Sequence, residues 1–344
     1  MDRDHRKLHV ALAGAALSLL APLSARATDV VQATTGSRGL VVRNETARAV
    51  VLHSKGEAVI RILPGTRLQS IVEVADGYFV AGTRGAGTGS NLLVLKGNDA
   101  FAGTQPAPGD AKGHFRDEPV LLAKGQELAG MVWLEGDERG AYAVMAADWE
   151  KTQWGMVREV APRGPGSQVG LTAAVLADGS WLVAWAGYDS KDDEIWWTRI
   201  VDGVPSKPAR VVAADNDVPD VTPALVPAGN GAILAWSRYD GNDYRLALAT
   251  FADGAFHEKE IESGKGSTEP SFVEVDGAPV LVYHSVKPEG FNLLKLDATG
   301  KVLAHASFEG RPVTPRPGVR AEGTGLALRF EGAESVKGTW SVSK

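Results

Sequence analysis

The 344-residue chain contains no cysteine. No disulfide and no thiolate-held metal is open to it, so its stability must rest on packing. Long hydrophobic runs are scarce as well. Past residue 27, no stretch approaches the roughly 20 apolar residues that a membrane-spanning helix needs. Runs of one charge sign are also missing. The 36 basic and 42 acidic residues give a net charge of −6, and with no basic patch nucleic acid is excluded as a partner. Gly-x-Ser-x-Gly, Gly-x-x-x-x-Gly-Lys-Ser/Thr and His-Glu-x-x-His do not occur, so nucleophile-elbow, phosphate-loop and zincin chemistries have no support. The seven histidines, at 5, 9, 53, 114, 257, 284 and 305, show no metal-ligand spacing.

What is present begins with an export signal. Arg3, Arg6 and Lys7 form a basic start, an Ala/Leu-rich run extends from Leu8 to Leu23, and Ala25-Arg26-Ala27 supplies a small-x-small pattern. This order predicts a secretory signal peptide over residues 1–27, cleaved after Ala27. Residues 28–344 are then a single domain in the periplasm or outside the cell, with no membrane insertion after cleavage.

That domain is a repeat. Asp76-Gly77, Lys124-Gly125, Asp178-Gly179, Asn230-Gly231, Asp276-Gly277 and the pair Gly323/Gly325 recur about every 50 residues. An apolar run follows each: YFVAG, LAGMVW, WLVAW, AILAW, PVLVY and LALRF. Trp133, Trp185, Trp236 and Tyr283 stand near the ends of four of them. Asp-Gly and Asn-Gly between apolar runs signal type I′ hairpins, whose two central residues need positive φ. About four short strands fit each unit, and helical periodicity is absent. Four-stranded antiparallel units repeated radially are the blades of a β-propeller. The sequence predicts an all-β, six-bladed propeller, closed by pairing of N- and C-terminal strands, with seven blades as the alternative. Trp185 and Trp236 are expected to be scaffold, packed in equivalent places of adjacent blades.

The units LADGSWLVAWAGYDSKDDEIWWTRIVDG and DVPDVTPALVPAGNGAILAWSRYDGNDYRLALATFADG resemble blades of sialidase-like and BNR-type exported propellers. The resemblance implies the fold over most of the mature chain. The family's Asp box, Ser/Thr-x-Asp-x-Gly-x-Thr-Trp, has no full copy; Ser335 to Trp340, SVKGTW, is nearest and lacks the Asp. The Arg-Ile-Pro motif is approached only by Arg61-Ile62-Leu63-Pro64, with one residue inserted. A shared fold does not carry a shared activity.

Propeller topology puts two loop sets on one face: those leading into each first strand and those joining second to third strands. We call this the loop face; the Asp-Gly turns lie opposite, on the turn face. Matched pairs, Tyr188-Asp189 and Tyr239-Asp240, occupy second-to-third loops, and Asp220 and Glu269 lie where the chain leads into first strands. These six residues are the candidate ligand-binding set, with acids as acceptors or cation ligands and tyrosines as stacking walls. Three readings stay open for them: solvated turns capped by Asp, a hard-cation site for which Ca²⁺ is the candidate, and a cleft for a polar ligand. No cofactor is otherwise implied, and no catalytic or metal residue can be chosen. The functional expectation is a non-enzymatic propeller binding an envelope protein or glycan through the loop face. The alternative is a carbohydrate-active hydrolase or lyase using paired carboxylates at the channel mouth.

Mass spectrometry of the exported protein should find Thr28 as its first residue. Recovery of the Leu8–Leu23 segment in a membrane fraction would contradict the signal-peptide reading.

Overall fold

The computed structural model describes residues 29–32, 40–45, 48–53, 58–61, 65–85, 90–98, 102–109, 114–136, 141–166, 168–213, 217–309, 318–322, 325–329 and 336–342. The signal-peptide segment lies outside the described residues. Among those described, no helix is long and apolar enough to cross a membrane.

Among the described residues all regular structure is antiparallel sheet. An N-terminal sheet holds β1 (Asp29–Gln32), β2 (Leu40–Glu45), β3 (Arg48–His53) and β4 (Ala58–Arg61). Five complete four-stranded blades follow. The first blade is β5 (Thr66–Val74), β6 (Gly77–Arg84), β7 (Asn91–Gly97) and β8 (Ala102–Gln105). The second is β9 (Phe115–Lys124), β10 (Glu127–Gly136) and β11 (Tyr142–Glu150), with its outer strand split into β12 (Gln153–Trp154) and β13 (Arg158–Ala161). The third is β14 (Gln168–Val175), β15 (Trp181–Tyr188) and β16 (Asp193–Val201), with its outer strand split into β17 (Val204–Pro205) and β18 (Ala209–Arg210). The fourth is β19 (Asp220–Ala228), β20 (Gly231–Tyr239), β21 (Tyr244–Ala252) and β22 (Ala255–Lys259). The fifth is β23 (Thr268–Val275), β24 (Ala278–Val286), β25 (Glu289–Leu296) and β26 (Val302–Glu309). A last sheet joins β27 (Gly318–Glu322), β28 (Gly325–Arg329) and β29 (Val336–Thr339), and β30 (Ser341–Val342) returns to pair with β26.

The expected type I′ chemistry is met at one turn between first and second strands, Asp276-Gly277, and at two between third and fourth; Lys124-Gly125 and Asp178-Gly179 have positive φ at the glycine alone, and Asn230-Gly231 at neither residue. Asp276-Gly277, Asp202-Gly203 and Asp253-Gly254 all have positive φ at both residues, 53° and 72°, 48° and 78°, and 53° and 81°. Strand alternation then assigns every second side chain to one neighbour. In β15, Trp181, Val183 and Trp185 enter the cluster shared with the second blade, while Leu182, Ala184 and Ala186 enter the one shared with the fourth. In β20, Ala232, Leu234 and Trp236 face the third blade, and Ile233 and Ala235 face the fifth. Both faces of a blade are thus buried, which is why the runs are continuously apolar. Trp185 and Trp236 are scaffold, at 2% and 0% exposure, in equivalent positions of adjacent blades. The adjacent Trp196 and Trp197 point to opposite faces and both pack, Trp197 edge-on against Phe251 and Phe256.

A second repeat lies in the first strands, where each of four carries a bulge of the same form. In β9, β14, β19 and β23 the register skips two residues against the second strand. The skipped pairs are Glu118-Pro119, Gly170-Leu171, Thr222-Pro223 and Glu269-Pro270. Each begins with a left-handed residue, at φ 48°, 66°, 53° and 55° respectively. A β-branched Thr in that region is an outlier. First strands lie at the edge of their sheets, so some of their amides have no neighbouring strand to pair with, and side chains of the preceding blade accept from the bulged Leu171 and from two in-register residues, Leu121 and Leu225. Leu121 N donates to Ser70 Oγ (2.9 Å), Leu171 N to Glu118 Oε2 (2.6 Å), and Leu225 N to Thr172 Oγ1 (3.1 Å).

The blade count departs from the sequence reading. Five complete blades are present, not six, and seven such blades are not reached either. The expected closure is absent among the described residues. β1–β4 pair with one another instead of completing a C-terminal blade. The reason is apolar: Leu40, Val42, Ala49 and Val51 join Leu68, Ile71, Tyr78 and Val80 of the first blade in one cluster. A sheet so covered has no need to lend a strand. Asn44 pins it, accepting from Leu68 N (2.8 Å) and donating to Leu68 O (2.7 Å). Arg61 merely ends β4.

Trp236→Ala should unfold in urea with about 3–5 kcal/mol less stability than the parent, the range for truncating a buried aromatic. A folded variant with an unchanged midpoint would show that the third-to-fourth blade cluster does not depend on it.

Candidate functional site

The loop face gathers an acidic group between the third and fourth blades. The β15–β16 hairpin ends in Tyr188 and Asp189 and returns through Asp192, Asp193 and Glu194. Asp189 caps its own loop: Oδ1 accepts from Lys191 N (2.9 Å) and Asp192 N (3.3 Å). Its Oδ2 accepts from Arg210 Nη2 (2.5 Å). The Asp189 side chain is only 5% exposed. Arg210 comes from the split outer strand, lies over the Trp196 ring at 5.4 Å, and reaches to 3.5 Å from Glu194 Oε1. Breaking the outer strand into β17 and β18 is what carries Arg210 beside the hairpin.

Asp220 opens β19 and is fully buried. Arg238 grips it twice, Nε and Nη2 each donating at 2.9 Å, and also reaches Glu258 at 3.0 Å. The Arg238 guanidinium lies over Trp236, 5.3 Å from the ring centre. Tryptophans therefore back both arginines of the group.

Electrostatics are one-sided here. Burial pushes the Glu194 carboxyl up to about 7, and Asp220, Asp192 and Asp189 push the same way against Arg210. Burial raises Asp193, with Asp189 adding to it. Burial also raises Asp220, opposed by its bonds to Arg238. Carboxyl oxygens of Asp189, Asp192 and Glu194 lie within 4.8 Å of one another. These three can offer oxygens to a hard cation. Calcium takes six to eight, and a cation would have to share these carboxylates with Arg210.

The six sequence candidates separate in the structure. Asp189 and Asp220 fall in the group just described. Tyr188, 37% exposed, stands on its rim, and the chain at Gly166 passes so close that a Cβ there would lie 2.7 Å from Tyr188 Cβ. Tyr239 connects through Tyr244, their rings 5.4 Å apart, and Asp193 in turn helps raise Tyr244. Asp240 stands apart on an exposed turn. Its carboxylate accepts from Asp243 N (2.9 Å), Asn242 N (3.0 Å) and Arg245 Nε (2.5 Å), contacts that hold it well below the usual carboxylate range. Glu269 is a bulge residue, equivalent to Glu118, and makes no hydrogen bond or ion pair among the described residues. Sequence reasoning missed Glu194, Arg210 and Arg238 as members of one group. Only the placement of Glu194, directly after the acidic loop at the start of a strand, offered a signal.

No protein-family model matches the chain, and no curated protein matches it. Solved structures do. A puromycin-hydrolyzing peptidase of Mycobacterium tuberculosis is 13% identical with a TM-score of 0.55, over 91% of this chain and 52% of that one. A mutant of Aleuria aurantia lectin in complex with alpha-methyl-L-fucoside is 10% identical with a TM-score of 0.51, over 83% of this chain and 97% of that one. Trypanosoma rangeli sialidase in complex with 2,3-difluorosialic acid is 13% identical with a TM-score of 0.47, over 90% of this chain and 59% of that one. At such identities the likeness is one of fold. The two matches with TM-scores above 0.5 bear out the expected propeller fold and nothing finer.

The raised Glu194 sets a pH dependence. A carboxyl that is harder to ionise folded than unfolded contributes stability in full below about 4.5, and that contribution is lost as pH rises to about 7. Melting temperatures at pH 5 and pH 8 should therefore differ more for the parent than for Glu194→Gln. Equal differences would show that Glu194 ionises normally.

Proposed function

We propose that this is an exported binding propeller, periplasmic or secreted, that recognises a glycan or an envelope protein through its loop face. The single observation that carries the reading is the group of Asp189, Asp192, Glu194 and Asp220, drawn together from two blades and compensated by Arg210 and Arg238. Carboxylates fixed by their own arginines are rigid acceptors, and rigid acceptors discriminate hydroxyl or amine donors at low entropic cost. Tyr188, partly exposed at the rim, offers an apolar face beside them. The fold it shares with a fucoside-bound lectin supports a glycan over a protein. Calcium remains part of this proposal only as an ion recruited by Asp189, Asp192 and Glu194.

One observation favours the second reading, a carbohydrate-active hydrolase or lyase. Glu194, raised to about 7, has carboxyl oxygens of Asp189 and Asp192 within 4.8 Å. A carboxyl that keeps its proton to neutral pH beside further acids is what acid–base cleavage of a glycosidic bond employs. In that case Glu194→Gln would abolish turnover and keep binding.

A glycan array followed by calorimetry on the best binder tests the primary reading. Asp189→Asn keeps the loop cap but weakens Arg210 pairing, and should reduce affinity about tenfold or more, the worth of a charged hydrogen bond. Asp240→Asn should leave affinity within about twofold, the level of an exposed surface pair. Normal binding by Asp189→Asn, together with loss on charge reversal at the Asp276 turn, would place recognition on the opposite face.

A further inference from the structure

A cavity opens at the loop-face end of the second blade. It measures about 440 Å³ and is lined by His114, Glu135, Glu159, Arg163 and the apolar Ala143, Met145 and Pro162. This volume lies within the small-ligand range of roughly 300–1,000 Å³. His114 precedes the first strand, Glu135 is near the end of the second, and Ala143 and Met145 belong to the third. Pro162 and Arg163 belong to the crossover that leads to the third blade.

Glu135 is the organised element. Its Oε2 accepts from Arg116 Nε (2.8 Å) and from Trp133 Nε1 (3.1 Å). Arg116 is itself buried, lies 5.8 Å over the Trp133 ring, and donates to Pro108 O (2.7 Å). These contacts fix the carboxylate and leave Oε1 directed to His114, whose Nδ1 is 3.5 Å away. A fixed acceptor with an imidazole beside it can take a hydroxyl proton and donate to a neighbouring oxygen.

Charge narrows the ligand. Arg116 pairs with Glu135, and counted together the charges of Arg116, Glu135, Glu159 and Arg163 sum to zero, so the cavity has little net charge with which to capture an ion. Its acceptors and donors are mixed, and its apolar part is Met145, Ala143 and Pro162. A neutral ring bearing several hydroxyls meets all three conditions. It both donates and accepts, it carries no charge, and its C–H face covers apolar side chains. We infer that this cavity is a subsite for one neutral, hydroxyl-rich sugar unit, separate from the acidic group between the third and fourth blades. The inference rests on the loop face being the binding face.

The methionines provide the test. The chain has four. Met145 lines the cavity, whereas Met131 is fully buried and Met156 is 84% exposed. The mature protein would be labelled with ¹³C-methyl methionine, with Met145→Leu to assign the signal. It would then be titrated with D-glucose, D-galactose and D-mannose, with D-glucuronate and D-glucosamine as charged counterparts and glycerol as a control. The Met145 methyl should move saturably with at least one neutral hexose, while Met131 and Met156 stay in place. Glu159→Gln and Arg163→Gln should each weaken that response about tenfold, the worth of a hydrogen bond to a charged group. Asp189→Asn should leave it unchanged. A Met145 signal silent to every neutral hexose, equally responsive to glycerol, or responsive only to the charged sugars would overturn the subsite. If Met145 is silent while Asp189→Asn still removes partner binding, the subsite fails and the loop-face reading stands. If neither responds, both fail.

Discussion

The bonds by which first strands lean on the blade before them are the constraint on which the rest of this molecule depends. A two-residue skip at Glu118, Gly170, Thr222 and Glu269 bends the first strand, and that strand lies at the edge of its sheet, where some amides have no neighbouring strand to pair with. An amide left unpaired in a buried place costs about 1–3 kcal/mol. Side chains of the preceding blade accept from the Leu121, Leu171 and Leu225 N–H groups. These bonds tie the first strands of the second, third and fourth blades to the blade before each. The shared apolar clusters follow from that placement, since each second strand is then covered on both faces.

The same placement creates the loop-face chemistry. Asp220 starts a first strand and Asp189 follows a second strand one blade earlier, so adjacency of blades is what brings them to one neighbourhood. Burying that many carboxyls is costly unless they are paired or protonated. The molecule does both. Arg238 and Arg210 are paired to the acids, and Glu194 holds its proton to about pH 7. The tryptophans serve two purposes at once, packing blade against blade and lying under the guanidinium groups of Arg116, Arg210 and Arg238.

Much of the scaffold was legible in the sequence because its signals are local. Asp276-Gly277 needs only its own two φ angles to declare a turn, and Trp185 and Trp236 show their register by distance from the Asp178-Gly179 and Asn230-Gly231 dipeptides before them. The blade count was not legible, because it depends on which distant strand covers Leu40 and Val42, a choice made by packing. The acidic group was half legible. Tyr188, Asp189 and Asp220 stood out by repetition or position, whereas Asp240 shares the repeat with Asp189 yet only closes its own turn. Nothing in the chain near Glu194 foretells Arg210 or Asp220, for their convergence exists only once two blades meet.

The pairing order of the strands has a consequence for how the chain reaches this state. Almost every sheet contact joins strands consecutive in sequence, across short loops; β30 on β26, β13 on β11 and β18 on β16 are the exceptions. Short loops cost little closure entropy, so hairpins and single blades are the first structures within reach of a searching chain. The clusters come later, because each needs two blades already formed. The contact of β1 with β27 joins residues about 290 positions apart, so it carries the largest closure entropy of the described contacts. Without it the first and last sheets would each keep an uncovered flank, so the contact most expensive to form is also the one that joins the two ends of the array.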